Sequence, residues 1–172
     1  ALVAVREIAP DMPVISGMTY DAQGRTIGGA APEVALLALQ ALGADAVGCN
    51  CSTGPEEMLA LLDRMLPYAR VPLFIKPNAG LPCLRAGHNH YDLAPDDFAD
   101  AVFRGVQMGA RIVGGCRGTT SGHNRATRDV LDGNYDSLKP FPLSQRVAVS
   151  SSQPIADFSE TEGPPAPLRV FG

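Results

Sequence analysis

Apolar and polar positions along the chain form two alternating patterns. Short apolar runs, typical of buried strands, are separated by longer stretches in which apolar residues recur every three or four positions, as on one face of a helix. The short runs predict strands over 13–18, 45–49, 71–76 and 111–113. The longer stretches predict helices over 32–42, 55–66, 95–108 and 121–131. Three of these helices begin at a proline, which is favoured in the first helical turn.

Strands that alternate with helices predict an α/β fold built from parallel β/α units. A short internal repeat supports this prediction, because Leu42–Gly48 resembles Met108–Gly114, 66 residues later. Such a spacing covers two β/α units, as expected for alternate strands of a (β/α)₈ TIM-type barrel. An open doubly wound sheet is the alternative, but no glycine-rich phosphate loop follows any strand. About four units are visible, so we expect half a barrel or a chain that completes itself by association.

The composition changes after the last predicted helix. Residues 136–172 are rich in proline and serine and read as an extended tail, whereas residues 1–135 carry the β/α pattern. One short strand could form over 146–150. The chain begins without methionine, on what reads as the last turns of a helix, so we expect a processed or cut product.

Composition and charge narrow the class of protein. The chain has 172 residues, of which 45% are hydrophobic and 19% are charged, enough apolar material for a sizeable core. The net charge of -4 offers no basic field for nucleic acid, and no apolar segment approaches the roughly 20 residues that span a membrane. Without secretory features, the four cysteines are expected to be reduced thiols in the cytoplasm.

Two cysteines occupy positions where a parallel barrel places its chemistry. Cys51 and Cys116 each follow a predicted strand, and sites in this fold lie at the carboxyl ends of strands. A single cysteine is more often a small core residue than a ligand. Two cysteines at strand ends, amid glycine, asparagine and threonine, favour a thiolate metal site.

Four segments around these cysteines carry a resemblance to a known family. The stretches 18–26, 48–56, 77–82 and 114–120 look like motifs of the homocysteine S-methyltransferase family, which includes the homocysteine domain of cobalamin-dependent methionine synthase and the betaine-homocysteine methyltransferases. The resemblance implies the second half of a (β/α)₈ barrel, with the N-terminal half as a missing partner. The tail is similar to the linker toward a pterin-binding domain.

The resemblance also implies a chemistry. Three cysteine thiolates of the family hold zinc and leave one position open for the thiol of homocysteine, which then accepts a methyl group. By resemblance Cys51 and Cys116 are metal ligands, while Asn78, Gly114 and Gly115 are substrate-binding residues. The methyl donor is expected on a partner, such as a cobalamin carried by a corrinoid-binding domain.

One residue departs from the family pattern. Arg117 stands where the third cysteine ligand is expected, and a guanidinium has no lone pair to offer a metal. Cys49 and Cys83 are possible substitutes for the third ligand. On an extended strand Cys49 would share a face with Cys51, but packing in the core also explains it. Cys83 is also explained by a solvated loop, together with His88 and His90. Arg117 itself could bind a substrate carboxylate.

The sequence therefore leaves two functions open. The first is part of a homocysteine S-methyltransferase, similar to methionine synthase, that activates a thiol on zinc despite a weakened or lost site. The second is a catalytically silent homologue that serves as a structural or docking module in a corrinoid or folate methyltransferase.

Lys76, at the end of a predicted strand, is expected to form a structural salt bridge rather than to bind substrate. A capping or solvated role for His123 is as well supported as a functional one.

Overall fold

The computed structural model describes residues 1–85, 87–134 and 138, together with two short strands in the tail. The strands are β1 Ile15–Met18, β2 Ala46–Asn50, β3 Leu73–Lys76, β4 Cys83–Arg85, β5 His88–His90, β6 Ala110–Val113, β7 Ala148–Val149 and β8 Ala156–Asp157. The helices are α1 Leu2–Ile8, α2 Pro32–Ala41, α3 Pro55–Met65, α4 Pro95–Met108 and α5 Ser121–Asn134, and a single 3₁₀ turn covers Leu66–Tyr68.

Four strands form one parallel sheet in the order β1-β2-β3-β6. A helix lies between β1 and β2, between β2 and β3, and between β3 and β6, which is the connection that parallel neighbours need. The predicted fold class, part of a parallel β/α barrel, is confirmed. The loop expected around Cys83 is instead an antiparallel hairpin, in which β4 pairs with β5.

The helices begin and end where the local sequence predicts. Pro32, Pro55 and Pro95 occupy the first turns of α2, α3 and α4. Acidic residues in these first turns interact favourably with the positive end of the helix dipole. At the other end of α4, Gly109 takes a φ of 140°, a conformation that side chains rarely adopt, and the chain turns directly into β6.

The main core lies between the sheet and its helices. One face of the sheet supplies Val47, Cys49, Leu73 and Ile75, which pack with residues of α2 and α3. On the opposite face the ring of Phe74 lies across two neighbouring strands, over Gly17 and Gly48. That face is otherwise short of helix cover, and Ile15 and Ile112 are exposed there. The sheet therefore has one covered face and one open face.

The tail predictions fall largely outside the described residues. Of 136–172, the structure describes Leu138, β7 and β8, and β7 lies within the strand predicted over 146–150. β7 and β8 pair with each other in an antiparallel register. Within the described part of the chain, no helix is long and apolar enough to cross a membrane.

Candidate thiol and metal site

The end of the central strand β3 holds both predicted cysteines. The backbone N–H of Cys51 donates to the Lys76 carbonyl over 3.1 Å, and that of Cys116 donates to the Pro77 carbonyl over 2.8 Å. Since β2 and β6 flank β3, these bonds draw the two cysteines toward each other across the strand end. Their Cα atoms are 5.8 Å apart and their sulfur atoms lie within bonding distance, in a disulfide arrangement. The expectation of four free thiols therefore holds only for Cys49 and Cys83.

The chain leaves β2 through an unusual backbone turn at Cys51. Cys51 and Ser52 have φ values of 61° and 64°, in the left-handed region that non-glycine residues seldom occupy. The turn ends the alternation of the strand, so Cys51 does not follow Cys49 into the core. Asn50 Nδ2 donates to the Cys51 sulfur over 3.2 Å, which adds a polar contact to the thiol.

Asn78 ties together the loops that carry the cysteines. It is only 2% exposed, and its Oδ1 accepts the backbone N–H of Arg117 over 3.1 Å. Its own backbone N–H donates to the Thr53 carbonyl over 3.0 Å. The predicted substrate-binding residue thus contacts the loop after each cysteine and fixes their relative positions.

The glycines beside Cys116 differ in what they allow. A Cβ on Gly115 would overlap the side chain of Thr119, whose hydroxyl donates to the Cys116 carbonyl over 2.6 Å. A Cβ on Gly114 would meet only the aliphatic stem of Lys76, at 3.6 to 4.0 Å. Gly115 is therefore required for the turn around Cys116, whereas the Lys76 side chain packs over Gly114.

The possible substitute ligands lie elsewhere. Cys49 is 1% exposed in the core between sheet and helices, and burial raises the pKa of its thiol to about 12. The Cys83 sulfur lies on the hairpin, 3.2 Å from the Asp92 carboxylate. No group of three histidine, cysteine or acidic side chains able to hold a metal occurs among the described residues. Neither cysteine is thus brought into a ligand set with Cys51 and Cys116.

Two cations near the strand ends, Lys76 and Arg117, form no ion pair with a described residue. Arg117 is exposed, and its side chain forms no ion pair with a described residue. Lys76 shares the open face with Phe74, two residues earlier, and likewise has no ion pair in the part of the chain that the structure describes. The structural salt bridge predicted for Lys76 is not formed with any described residue. The alternation of β3 was the signal for the direction of the side chain, but sequence could not show which described residues face it.

His123 is hydrogen-bonded to the backbone of two separate segments. It is 6% exposed, its Nδ1 accepts the backbone N–H of Thr120 over 3.1 Å, and its Nε2 lies 2.9 Å from the Leu93 carbonyl. An imidazole that accepts at Nδ1 and donates at Nε2 is neutral. The ring also meets Phe98 edge-on, with centroids 5.4 Å apart. His123 therefore joins the start of α5 to the segment before α4.

The fold and the site together define a class: a parallel β/α-barrel unit with paired cysteines at its strand ends. The family model for homocysteine S-methyltransferase matches residues 1–131, and the chain belongs to this family. It is 41% identical over 115 residues to methionine synthase of Mycobacterium tuberculosis, covering 66% of this chain and 10% of that protein. It is 39% identical over 123 residues to methionine synthase of Mycobacterium leprae, covering 71% and 10%. The chain spans about a tenth of the length of these curated relatives.

Solved structures show the same fold. The metallated form of the homocysteine methyltransferase MmuM from Escherichia coli matches with a TM-score of 0.54 and 24% identity, over 74% of this chain and 39% of that chain. Its apo form matches with a TM-score of 0.56 and 25% identity, over 74% and 43%. The chain thus corresponds to less than half of these homocysteine methyltransferases.

Proposed function

We propose that this chain is the cysteine-bearing half of the homocysteine-binding barrel of a methyltransferase similar to methionine synthase. The observation that carries the proposal is the convergence of Cys51 and Cys116 at the end of β3, where backbone bonds hold them to Lys76 and to the next residue, Pro77. Homocysteine is the proposed methyl acceptor, and a corrinoid or folate on another domain is the proposed source of the methyl group.

The residues of this chain prepare the acceptor site. Asn50 supplies a donor to the Cys51 sulfur, and Asn78 keeps the loops after the two cysteines in register. Gly114 carries no side chain, and the aliphatic stem of Lys76 lies over it at the end of β6. These contacts bind and orient; they do not by themselves activate a thiol.

Zinc is implied by the family, and the described donors only partly suit it. A structural or catalytic zinc site needs three or four protein ligands, whereas two cysteines converge here and Arg117 occupies the third position. A guanidinium also adds a positive charge beside a dication. The described residues do not form a complete zinc site. Thiol activation on zinc would need a donor from beyond the described residues.

Metal analysis tests this part of the proposal directly. The reduced chain and Arg117→Cys are equilibrated with zinc and dialysed, and the bound metal is counted per chain. We expect well below one zinc per wild-type chain and about one in Arg117→Cys, because the variant restores a three-thiolate set. Cys83→Ser in the Arg117→Cys background is the matched control and should keep its zinc. Zinc near one in the wild type would mean that another ligand completes the site.

Binding of homocysteine tests the function itself. Titration calorimetry of the reduced chain with homocysteine should give a 1:1 isotherm that Asn78→Ala weakens. The alternative function, a catalytically silent structural or docking module, is supported by Arg117 alone. Arginine at this position cannot be a metal ligand, while its backbone bond to Asn78 keeps the loop in place. Absence of homocysteine binding by both the wild type and the zinc-loaded Arg117→Cys variant would support that alternative.

A further inference from the structure

The Cys116 loop, residues 114–120, is held at its middle by the backbone that follows β3. Ala79 donates its N–H to the Arg117 carbonyl over 2.9 Å, and its own carbonyl accepts the Leu93 N–H over 3.2 Å. Leu93 lies just before the start of α4. Two backbone bonds therefore connect the middle of the loop to the segment that leads into α4.

His123 connects the end of the same loop to the same segment. Its Nε2 lies 2.9 Å from the Leu93 carbonyl, which can only accept, and its Nδ1 lies 3.1 Å from the Thr120 backbone nitrogen, which can only donate. These two bonds complete a ring that leaves the loop at Arg117 and returns to it at Thr120. Each other link in this ring is a bond between backbone groups, so His123 is the side chain whose substitution opens it.

Thr119 passes the restraint from Thr120 to the cysteine. The Thr119 hydroxyl donates to the Cys116 carbonyl over 2.6 Å, and the Thr119 N–H donates to the same oxygen over 3.3 Å. Because Thr119 and Thr120 are adjacent, the bond between Thr120 and His123 limits the positions that Cys116 can take.

The imidazole of His123 is itself held in place. It is buried, it is bonded at both ring nitrogens, and it packs edge-on against Phe98 of α4. None of the acidic side chains that the structure describes forms an ion pair with it. A neutral ring fixed in this way can hold the loop, whereas a solvated ring would leave it free to move.

We propose that His123 is a positioning residue for the thiol pair, because it holds the Cys116 loop where the Cys116 sulfur meets that of Cys51. It acts through Thr119 and Thr120 rather than on the sulfur itself. Opening the ring of bonds would give the loop more conformations, so the two sulfur atoms would meet in a smaller fraction of them. The inference rests on the proposed function for its bearing on methyl transfer, but the pairing of the thiols is measurable without homocysteine or metal.

Equilibration of the folded chain with glutathione measures how closely the two thiols are held. Oxidised glutathione takes two electrons and two protons from Cys51 and Cys116, which form a disulfide while two molecules of reduced glutathione are released. Every chain carries Cys83→Ser, so that the thiol on the hairpin forms no mixed disulfide. Samples equilibrated at one pH without metal are quenched with acid and alkylated, and mass spectrometry counts the oxidised and reduced forms.

Two substitutions of His123 separate positioning from helix capping. His123→Leu removes both hydrogen bonds and keeps an apolar side chain against Phe98. His123→Asn places an acceptor near the position of Nδ1, so it can still cap Thr120, but it is too short to reach the Leu93 carbonyl. Thr127→Val is the matched control, because Thr127 is another buried polar residue of α5 and its hydroxyl has no hydrogen-bond partner among the described residues.

We expect the equilibrium constant for disulfide formation to fall about tenfold in both His123→Leu and His123→Asn, the usual loss for a hydrogen bond in a folded chain. Thr127→Val should keep the constant of the parent chain. A wild-type constant in His123→Asn would mean that His123 only caps α5, and a fall in Thr127→Val would mean that any change on this face of α5 disturbs the thiols. Either result would overturn the inference.

The remaining outcomes separate this inference from the proposed function. A lower urea midpoint in His123→Leu and His123→Asn, with the disulfide constant unchanged, would show a purely structural role and overturn the inference. It would leave the proposed function standing, since homocysteine binding tests that function. A tenfold fall of the constant in a chain that binds no homocysteine would support the positioning role and count against the function.

Discussion

Gly48 gives the sharpest test of how the open face is packed. A methyl group at this position would overlap the backbone carbonyl of Phe74 on the neighbouring strand and would press on the Phe74 ring. Gly114, at the end of another strand on the same face, is a matched control, because its added Cβ would meet only the Lys76 stem at ordinary contact distances of 3.6 to 4.0 Å. Gly48→Ala and Gly114→Ala therefore differ in the surroundings of one methyl group.

The expected magnitude follows from two opposing effects. Replacing glycine with alanine in extended structure stabilises by about 0.5–1 kcal/mol, since the unfolded chain loses freedom. Overpacking costs about 1–3 kcal/mol, and the upper end applies to Gly48 because the obstacle is backbone that cannot rotate away. We expect Gly48→Ala to be less stable than Gly114→Ala by about 2 kcal/mol or more.

Urea unfolding followed by far-ultraviolet circular dichroism measures this difference. With ordinary urea dependence for a chain of this size, the midpoint of Gly48→Ala should fall on the order of 1 M below that of Gly114→Ala. Equal slopes are needed for the comparison, because a change in slope would indicate a change in the unfolded state. Midpoints that agree within error would refute the packing of Phe74 over Gly48.

Two further predictions concern titratable groups. Cys49 should resist alkylation in the folded chain at pH 8, because the thiolate is the reactive form and burial raises the pKa of this thiol to about 12. The less buried Cys83 should be labelled. Mass spectrometry of the reduced, alkylated protein measures both. Hydrogen bonds from the Val14 N–H and Arg6 lower the pKa of the Asp45 carboxyl in the folded chain. The ionised carboxyl therefore stabilises the folded state above the unfolded pKa of 3.8, and this stabilisation is lost as the pH falls through the lower folded pKa. Asp45→Asn should lower the unfolding midpoint at pH 7 and lose this effect near pH 2, and an equal deficit at both pH values would contradict the assignment.

Much of the framework could be predicted from the sequence because its signals are local. Proline and acidic residues mark the starts of α3 and α4, and a glycine marks the end of α4. The strands of the main sheet are short and apolar, and helices separate them, so their parallel pairing follows from connectivity. The β4–β5 hairpin was missed because its strands have three residues each and β5 is fully exposed, which leaves no hydrophobic pattern to detect.

The site was only partly predictable because it depends on backbone geometry. Proximity of Cys51 and Cys116 follows from parallel strand ends, and the sequence indicated it. The left-handed turn at Cys51 separates this thiol from Cys49, and strict strand alternation predicted the opposite. Among the described residues Lys76 has no ion pair, which depends on the side chains that face it from β2 and β6, and these are set by register rather than by local sequence.

The Arg117 side chain adds charge next to Cys116 but makes none of the hydrogen bonds that hold its own loop in place. Its backbone N–H is bound by the Asn78 side chain, and its carbonyl accepts the N–H of Ala79 over 2.9 Å. Neither bond uses the Arg117 side chain, which is exposed, so the loop can carry arginine or cysteine at this position with the same path. The contacts that hold Cys51 and Cys116 likewise come from backbone, namely the carbonyls of Lys76 and Pro77 at the end of β3. The backbone contacts therefore hold the cysteine pair in place independently of the charge that the Arg117 side chain adds next to Cys116.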